Sequence, residues 1–404
     1  MNRYRFALVS TLFLIVLLLA CAPQPAATST PDVNVIVSQT MSALTEVPPT
    51  ETVPVSPPTL DLLPRSLYFI APDATARLQI FRLGRDGKSQ TQLTAEPADV
   101  ESYDVNQNDG RLVYVSNNQL LLVNADGSGR ELLLDGGPQD VNNPFLTAIR
   151  SPVWSPNGEA IAYGFGGLNL YAVATGVSNR VLENQIRDMG NGFILPDELY
   201  WPEAYSPNGM KLLVRLGYYE GGSFAIYDPS SNTLIRLMQT DTGNICCGAR
   251  WTFDSASLYA ALPTTGMFSS GLWRIDAASG QVTTLLPGEA GNNTFNFADA
   301  PFLAPDGQLY FFFANTPATE EFFVDAPLQL VRSAADGVTG RTVLLPDIFK
   351  KMNEALWSPD GSFVIAAIGQ NDQTDQGGAA EIVYVDGRPR VNLVPFAKDM
   401  RWGP

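Results

Sequence analysis

The amino-acid sequence predicts an all-β fold, built as a seven-bladed β-propeller. First, a strand–turn–strand unit recurs along the chain, and its clearest copy is VWSPNGEAIAYGF at 153–165. Second, each copy precedes another predicted hairpin, which makes four strands in each period of about 50 residues. Four strands per period of this length are typical of a propeller blade. Third, the hairpin counts indicate that the two ends of the chain complete one blade together.

Residues 1–20 predict an export signal. Two arginines precede an apolar run that ends at Ala20, and the run is shorter than the roughly 20 apolar residues of a spanning helix. The sequence LLAC at 18–21 resembles a bacterial lipobox, which implies cleavage before Cys21 and lipid attachment to it. Several acyl chains give a stable membrane anchor. The alternative is an uncleaved signal anchor.

The segment 21–61 predicts a disordered tether. It is rich in Pro and Thr and has too few large apolar side chains to offset the entropy of ordering. Within it, 32–47 could form one short helix with an apolar side, which is marginal alone in water. The propeller then occupies 62–404. We expect a monomeric propeller outside the cytoplasm, held to the cell membrane by its lipid alone.

The first hairpin of the period recurs six times. Its turn positions are Gly110, Gly158, Gly209, Ser255, Gly307 and Gly361, spaced 48, 51, 46, 52 and 54 residues apart. In the clearest copy, Asn157 and Gly158 predict a two-residue turn, because both residue types tolerate a positive φ.

These copies resemble the TolB-like propeller repeat, a relative of the WD repeat, with its W-S-P-D-G core followed by an apolar strand. Trp154 and Trp357, each followed by Ser-Pro-Asn/Asp-Gly, match that pattern, and Tyr205 replaces the tryptophan once. The copy with Asp254 and Ser255 departs from it at the glycine. The resemblance covers 66–404 and implies the fold, whereas a propeller by itself implies no particular function.

The blade count depends on the two ends of the chain. Seven second hairpins accompany only six first hairpins, because the strand at 66–71 and the hairpin at 78–94 have no first strand before them. We expect 397–403 to supply that innermost strand, which leaves no free sheet edge at the junction. The alternative is a six-bladed ring with an extra hairpin at its start.

Composition excludes several classes of function. The net charge is −16, from 25 Lys and Arg against 41 Asp and Glu, which argues against nucleic acid as a partner. The chain has no histidine, so Ser-His-Asp or Cys-His catalysis and a His-ligated metal are excluded. No loop has regular calcium-ligand spacing. We therefore expect no catalytic residue, no metal and no cofactor.

Propeller geometry places the short turns of the repeats on one side, the short-turn face. The connections between second and third strands, and between blades, lie on the opposite side, the long-loop face. They are 183–203, 217–223, 238–249, 263–271, 287–300, 314–327, 346–354 and 369–380. Long loops on a rigid scaffold commonly carry binding sites. Aromatic and acidic residues of these loops are our candidate ligand-binding residues: Tyr200, Trp201, Tyr218, Tyr219, Phe322, Phe323, Glu320, Glu321, Asp372 and Asp375.

Cys246 and Cys247 are adjacent in one of these loops. In an exported protein with Cys21 lipidated they have only each other as partners. They form either a vicinal disulfide or two buried thiols.

Three functions fit the sequence. The first is a non-enzymatic binding module that engages an envelope protein, a peptide or a glycan through the long-loop face. Aromatic residues and carboxylates suit all three ligands. The second is a polysaccharide hydrolase or lyase that uses carboxylates in the central funnel. The third is a structural part of an envelope complex. The absence of histidine and of a G-x-S-x-G motif favours the binding module.

Overall fold

The computed structural model describes residues 61–238, 245, 248–264, 268–317, 326–370 and 376–404. The signal peptide with Cys21, the tether and its helix at 32–47 lie outside these residues. So do Cys246 and Cys247 and six candidate ligand-binding residues: Glu320, Glu321, Phe322, Phe323, Asp372 and Asp375. Within the described ranges, no helix has the length and apolar character needed to cross a membrane.

Strands dominate the described part of the chain, with one short helix, α1 (Pro144–Thr147). The strands are β1 (Leu67–Pro72), β2 (Leu78–Leu83), β3 (Gln90–Gln92), β4 (Val100–Val105), β5 (Leu112–Ser116), β6 (Gln119–Val123), β7 (Glu131–Asp135), β8 (Arg150–Trp154), β9 (Ala160–Gly164), β10 (Gly167–Ala172), β11 (Val177–Glu183), β12 (Gln185–Asp188), β13 (Ile194–Tyr205), β14 (Leu212–Gly217), β15 (Gly222–Asp228), β16 (Thr233–Arg236), β17 (Ala249–Trp251), β18 (Ser257–Leu262), β19 (Gly271–Asp276), β20 (Val282–Leu286), β21 (Glu289–Gly291), β22 (Thr294–Leu303), β23 (Leu309–Pro317), β24 (Gln329–Ser333), β25 (Thr342–Val343), β26 (Met352–Trp357), β27 (Phe363–Ile368), β28 (Gly378–Tyr384) and β29 (Val391–Trp402).

The strands form antiparallel sheets in chain order, as expected for consecutive hairpins. Three sheets have four strands, β4–β7, β8–β11 and β17–β20, and two have five, β12–β16 and β21–β25. The remaining sheet has the order β26-β27-β28-β29-β1-β2-β3 and so contains both ends of the described chain. The all-β prediction is confirmed.

Strand β29 joins the two ends. Its first part pairs with β28, where Val391 lies opposite Ile382, and its last part pairs with β1, where Trp402 lies opposite Leu67. The indole Nε1 of Trp402 also donates a hydrogen bond to the carbonyl oxygen of Trp357, at 2.7 Å. The C-terminal residues therefore supply the innermost strand before β1, as the hairpin count predicts.

The core lies between neighbouring sheets, because strands such as β5 and β27 are buried on both sides. In β5, Leu112 and Tyr114 pack toward β1 and β2, whereas Val113 and Val115 pack toward β8 and β9, where they meet Ile161. Side chains alternate between the two sides of a strand, which explains why these strands are nearly continuous apolar runs. Among the described residues there are seven such clusters. One of them joins β26–β29 to β1 and β2.

The repeated turn is longer than the two-residue turn that Asn157 and Gly158 predict. The amide of Gly158 donates to the carbonyl of Ser155 at 2.8 Å, and the amide of Ser155 donates to that of Ala160 at 2.9 Å. Within this turn, only Gly158 has a positive φ, of 73°. The turn prediction is wrong in this detail because the hydroxyl of Ser155 and the side chain of Asn157, 2.7 Å apart, stabilise a wider turn.

Two of the predicted long loops contain additional strands. In 183–203, β12 pairs with the first part of β13, and in 287–300, β21 pairs with the start of β22. These hairpins extend the innermost strands β13 and β22 beyond their sheets, on the long-loop face.

Candidate functional site

Most of the innermost strands are irregular in their middle. The pairing register shifts between Val100 and Ser102 in β4 and between Arg150 and Val153 in β8, and equivalent shifts occur in β13, β22 and β26. Ser151 of β8, Ala300 of β22 and Asp399 of β29 have left-handed backbone conformations at these shifts. Such bulges turn side chains away from the regular alternation. As a result, charged residues on the first strands line two cavities.

The first cavity, which we call the axial cavity, has a volume of about 790 Å³. It is lined by residues of β4, β8, β13, β17, β26 and β29, which shows that six of the first strands converge on one space. Its charged lining consists of three arginines and two carboxylates: Arg65, Arg250, Arg401, Asp104 and Glu203. Gln107, Pro156 and Pro207, from the short turns, also line it, so the axial cavity opens toward the short-turn face.

The second cavity, which we call the mouth cavity, has a volume of about 640 Å³. It lies at the long-loop face, because the connection 217–223 and Phe268 contribute to its lining. Trp201, Tyr218 and Tyr219 line it together with two arginines, Arg150 and Arg215, and Glu101. Volumes of this size accommodate a drug-sized ligand.

The ring of Trp201 is held in place by its neighbours. The guanidinium of Arg215 lies over the ring, 5.4 Å from its centroid. A Cβ atom added at Gly217 would overlap Cη2 and Cζ3 of this ring, and one added at Gly164 would lie 2.9 Å from its Cδ1. The two glycines therefore provide the space that the indole occupies.

The described candidates divide into two groups. Trp201 and Tyr218 are half-buried and Tyr219 is exposed, and all three line the mouth cavity. Tyr200 instead lies in the core, 4% exposed, and its hydroxyl donates to Oε1 of Glu198 at 2.6 Å. Tyr200 and Trp201 are adjacent in β13, so their side chains leave the strand on opposite sides. The expectation that both belong to the loop surface is therefore wrong for Tyr200.

Two ion pairs neutralise the carboxylates of the axial cavity. Nε of Arg215 lies 2.9 Å from Oε1 of Glu203, and Nε of Arg401 lies 3.8 Å from Oδ1 of Asp104. Because Arg215 lines the mouth cavity and Glu203 the axial cavity, the first pair connects the two. Asp104 also accepts a hydrogen bond from the amide of Trp154, at 2.7 Å.

Two further carboxyl groups lie on the first strands with altered acidity. Burial, together with the nearby charge of Asp399, raises the pKa of Glu354 to about 7. Burial raises the pKa of Asp299 to about 6. Oε1 of Glu354 accepts a hydrogen bond from the amide of Met400, at 2.5 Å, so this carboxyl group contacts the bulge of β29. In the described part of the chain, no group of three or more Cys, Asp or Glu residues is arranged to hold a metal ion.

Sequence reasoning missed the charged residues of the cavities. Arg250 and Arg401 lie on first strands close to the short-turn face, each directly before a tryptophan, at the position where other repeats have Val153 and Leu356. Charged residues at such repeat positions are the signal that could have identified them. These charged positions become visible only when all the first strands are aligned, including β29 at the end of the chain.

The convergence of first strands on a lined axial space is characteristic of the β-propeller class. No known protein family matches the chain, and no curated protein matches it. Among solved structures, TolB from Acinetobacter baumannii is similar at 18% identity over 83% of this chain and 82% of that one, with a TM-score of 0.42.

Two other solved structures are similar at higher TM-scores. An oligogalacturonate lyase in complex with manganese has 11% identity and a TM-score of 0.51, over 81% of this chain and 84% of that one. A puromycin hydrolase has 14% identity and a TM-score of 0.52, over 83% of this chain and 53% of that one. At these identities the likeness concerns the fold alone. In fold, the chain is a β-propeller.

Proposed function

We propose that this chain is a non-enzymatic binding protein of the cell envelope, which holds a protein, a peptide or a glycan at the mouth cavity. One observation carries the proposal: Trp201, Tyr218 and Tyr219 line a single cavity of about 640 Å³ at the long-loop face. Aromatic side chains with polar tips combine large contact areas with hydrogen-bonding groups, and they are enriched where proteins bind ligands.

The neighbouring charges add specificity. Arg150 is exposed and makes no ion pair within 4 Å among the described residues, so its guanidinium is available to a ligand. Arg215 is paired with Glu203 and covers the ring of Trp201. A preformed aromatic surface with one available cation suits a ligand that has both ring or apolar groups and hydrogen-bond acceptors.

The proposed site belongs to an exported protein that is anchored by lipid at Cys21. The leader at 1–20 and the lipobox-like LLAC support this placement. Labelling cells with a fatty acid that carries an alkyne tests it. The wild-type protein should acquire the label and Cys21→Ser should not; equal labelling of both would contradict the anchor.

The binding role is tested with the full-length protein in detergent, immobilised and exposed to a glycan array and to cell-envelope extract. Trp201→Ala and Tyr219→Ala should each weaken retention of the ligand by at least about tenfold, as for aromatic residues central to an interface. Phe253→Ala is the matched control, because Phe253 is 55% exposed in a short turn remote from the mouth cavity. The site would be contradicted if the control Phe253→Ala lost as much ligand as the other two variants. It would also be contradicted if all three variants retained the ligand as well as the wild-type protein.

An enzymatic role is the second candidate, supported by Glu354. A carboxyl group with a pKa of about 7 can act as a general acid at neutral pH. Its contact with the amide of Met400 gives it a structural role as well. Polysaccharides retained on the array are therefore assayed for cleavage. Turnover that disappears in Glu354→Gln would establish an enzyme in place of a binding module.

We also infer that the sheets form seven blades. In the described ranges, seven apolar clusters lie between neighbouring groups of strands, which supports this count. One of them joins β26–β29 to β1 and β2, as expected where the two ends of the chain meet. The long sheet divides at β29 into two groups of four strands, which share that strand. A crystal structure counts the blades directly. Six blades with β1–β3 outside the ring would contradict the inference.

A further inference from the structure

The axial cavity has properties that binding at the mouth cavity does not require. The protein carries a net charge of −16, yet this cavity is lined by more arginines than carboxylates. Glu203 is paired with Arg215, which lies outside the lining, and Asp104 is paired with Arg401. Arg65 and Arg250 have no carboxylate within 4 Å in the described part of the structure. A cationic lining in an acidic protein favours an anionic ligand.

Arg250 is the more enclosed of these two arginines. Among the described residues, its guanidinium makes one hydrogen bond, from Nη2 to the carbonyl oxygen of Ala355 at 3.3 Å. A guanidinium has five N–H donors, so most donors of Arg250 have no acceptor within the part of the chain that the structure describes. Burial and the nearby Arg401 lower the pKa of Arg250 to about 10. The nearby carboxyl group of Glu354 offsets this lowering only in part, so the positive charge of Arg250 is incompletely compensated by the described residues.

The axial cavity also has aromatic walls. Trp154, Trp251 and Trp402 contribute to the lining, and Tyr205 lies among them. Their ring positions are fixed by the fold: Nε1 of Trp251 donates to the carbonyl of Ala204 at 3.1 Å, as Nε1 of Trp402 does to that of Trp357. A guanidinium in a cavity with rigid aromatic walls can bind a carboxylate in a bidentate way while the rings contact the body of the ligand.

We propose that the axial cavity is a second binding site, which takes a carboxylate-bearing ligand from the short-turn face and anchors its carboxylate on Arg250. The ligand is small enough for about 790 Å³, which is the size of a short peptide end or a uronic acid sugar. The two sources share the carboxylate and differ in the group that the tryptophans contact.

The test uses pairs of probes that differ only in the carboxylate, measured by calorimetry with the full-length protein in detergent. One pair is acetyl-trialanine and its C-terminal amide, and the other is glucuronic acid and glucose. In at least one pair the carboxylate member should bind about 10- to 100-fold more tightly, as for a hydrogen-bonded ion pair. The pair that shows this preference identifies whether the ligand is a peptide end or a uronic acid sugar. No preference for the carboxylate in either pair overturns the proposal.

Arg250→Gln should abolish the preference for the carboxylate. Arg332→Gln is the control, because it makes the same change in net charge at an exposed position of β24. Trp201→Ala should leave the preference unchanged, so failure of the mouth site and failure of this site are distinguishable. A preference that persists in Arg250→Gln would overturn the assignment.

A second measurement does not depend on the folding of a variant. Phenylglyoxal modifies arginines, and peptide mass spectrometry of the wild-type protein reports modification at Arg250. The carboxylate probe should slow modification of Arg250 several-fold, while its neutral partner should not. Equal modification with both probes would overturn the proposal.

Discussion

The indole of Trp201 lies against the backbone of Gly217, in space that any side chain at that position would occupy. Gly217 ends β14 and pairs with Leu199 of β13, so the two neighbouring strands determine where the ring lies. This contact orients the ring that forms a wall of the mouth cavity.

Gly217→Ala should therefore displace the ring. We expect a loss of about 1–3 kcal/mol in the free energy of unfolding, because the added methyl group overpacks the site, together with weaker ligand retention. Chemical denaturation measures the first effect. In a Trp201→Ala background the same substitution should cost little, since the clash is then absent. An equal loss in the free energy of unfolding in both backgrounds would contradict the contact between Trp201 and Gly217.

The indole of Trp357 should contribute more to stability through its N–H group than that of Trp154. Nε1 of Trp357 donates to the carbonyl of Ala300 at 2.8 Å, whereas Nε1 of Trp154 is buried without a partner in the described structure. Trp357→Phe should lower the free energy of unfolding by about 1–3 kcal/mol more than Trp154→Phe, since it leaves a carbonyl unsatisfied. Both tryptophans occupy the same position of the repeat, which makes Trp154→Phe the matched control. Equal costs in urea denaturation would count against this account.

Stability should depend on pH through Glu354. Its pKa in the folded protein is raised to about 7, so the folded state binds a proton more tightly than the unfolded state. The resulting stabilisation is complete below the unfolded pKa, about 4.5, and is lost as the pH rises through about 7. Glu354→Gln should therefore be more stable than wild type at pH 8, by about 1–3 kcal/mol, with a smaller difference at pH 4.5.

Thermal unfolding between pH 4 and 8 measures this dependence. Glu131→Gln on the exposed strand β7 is the control and should follow the wild-type curve. A Glu354→Gln curve parallel to the wild-type curve would show that another group controls the pH dependence.

The pairing of β29 with β1 should be essential for stability. Deleting residues 398–404 removes the strand that covers β1 and the hydrogen bond from Trp402 to Trp357. We expect a loss of about 3 kcal/mol or more, from the lost tryptophan packing alone, and aggregation through the free edge of β1. Calorimetry measures the loss of stability, and light scattering detects the aggregation. Pro404→Ala, at an exposed position, should behave as wild type; a deletion variant that does the same would contradict the pairing.

The strands and their order could be predicted from the sequence because they depend on local patterns. In the repeat around Trp154, the Ser-Pro-Asn-Gly turn and the apolar strand after it are visible within 13 residues. The number of such units also predicts the pairing of β29 with β1. The type of turn was beyond this reasoning, because the contact of Ser155 with Asn157 widens it.

The composition of the two cavities depends on the tertiary structure. Arg250, Arg401 and Asp104 are separated by more than a hundred residues of sequence, and the bulges that direct first-strand side chains inward are not encoded by a short motif. Likewise, the neighbours of β13 decide that Tyr200 is buried and that Trp201 faces the mouth cavity. Hairpins follow from contacts between residues close in sequence, whereas a binding site on the axis requires all the strands to be assembled around it.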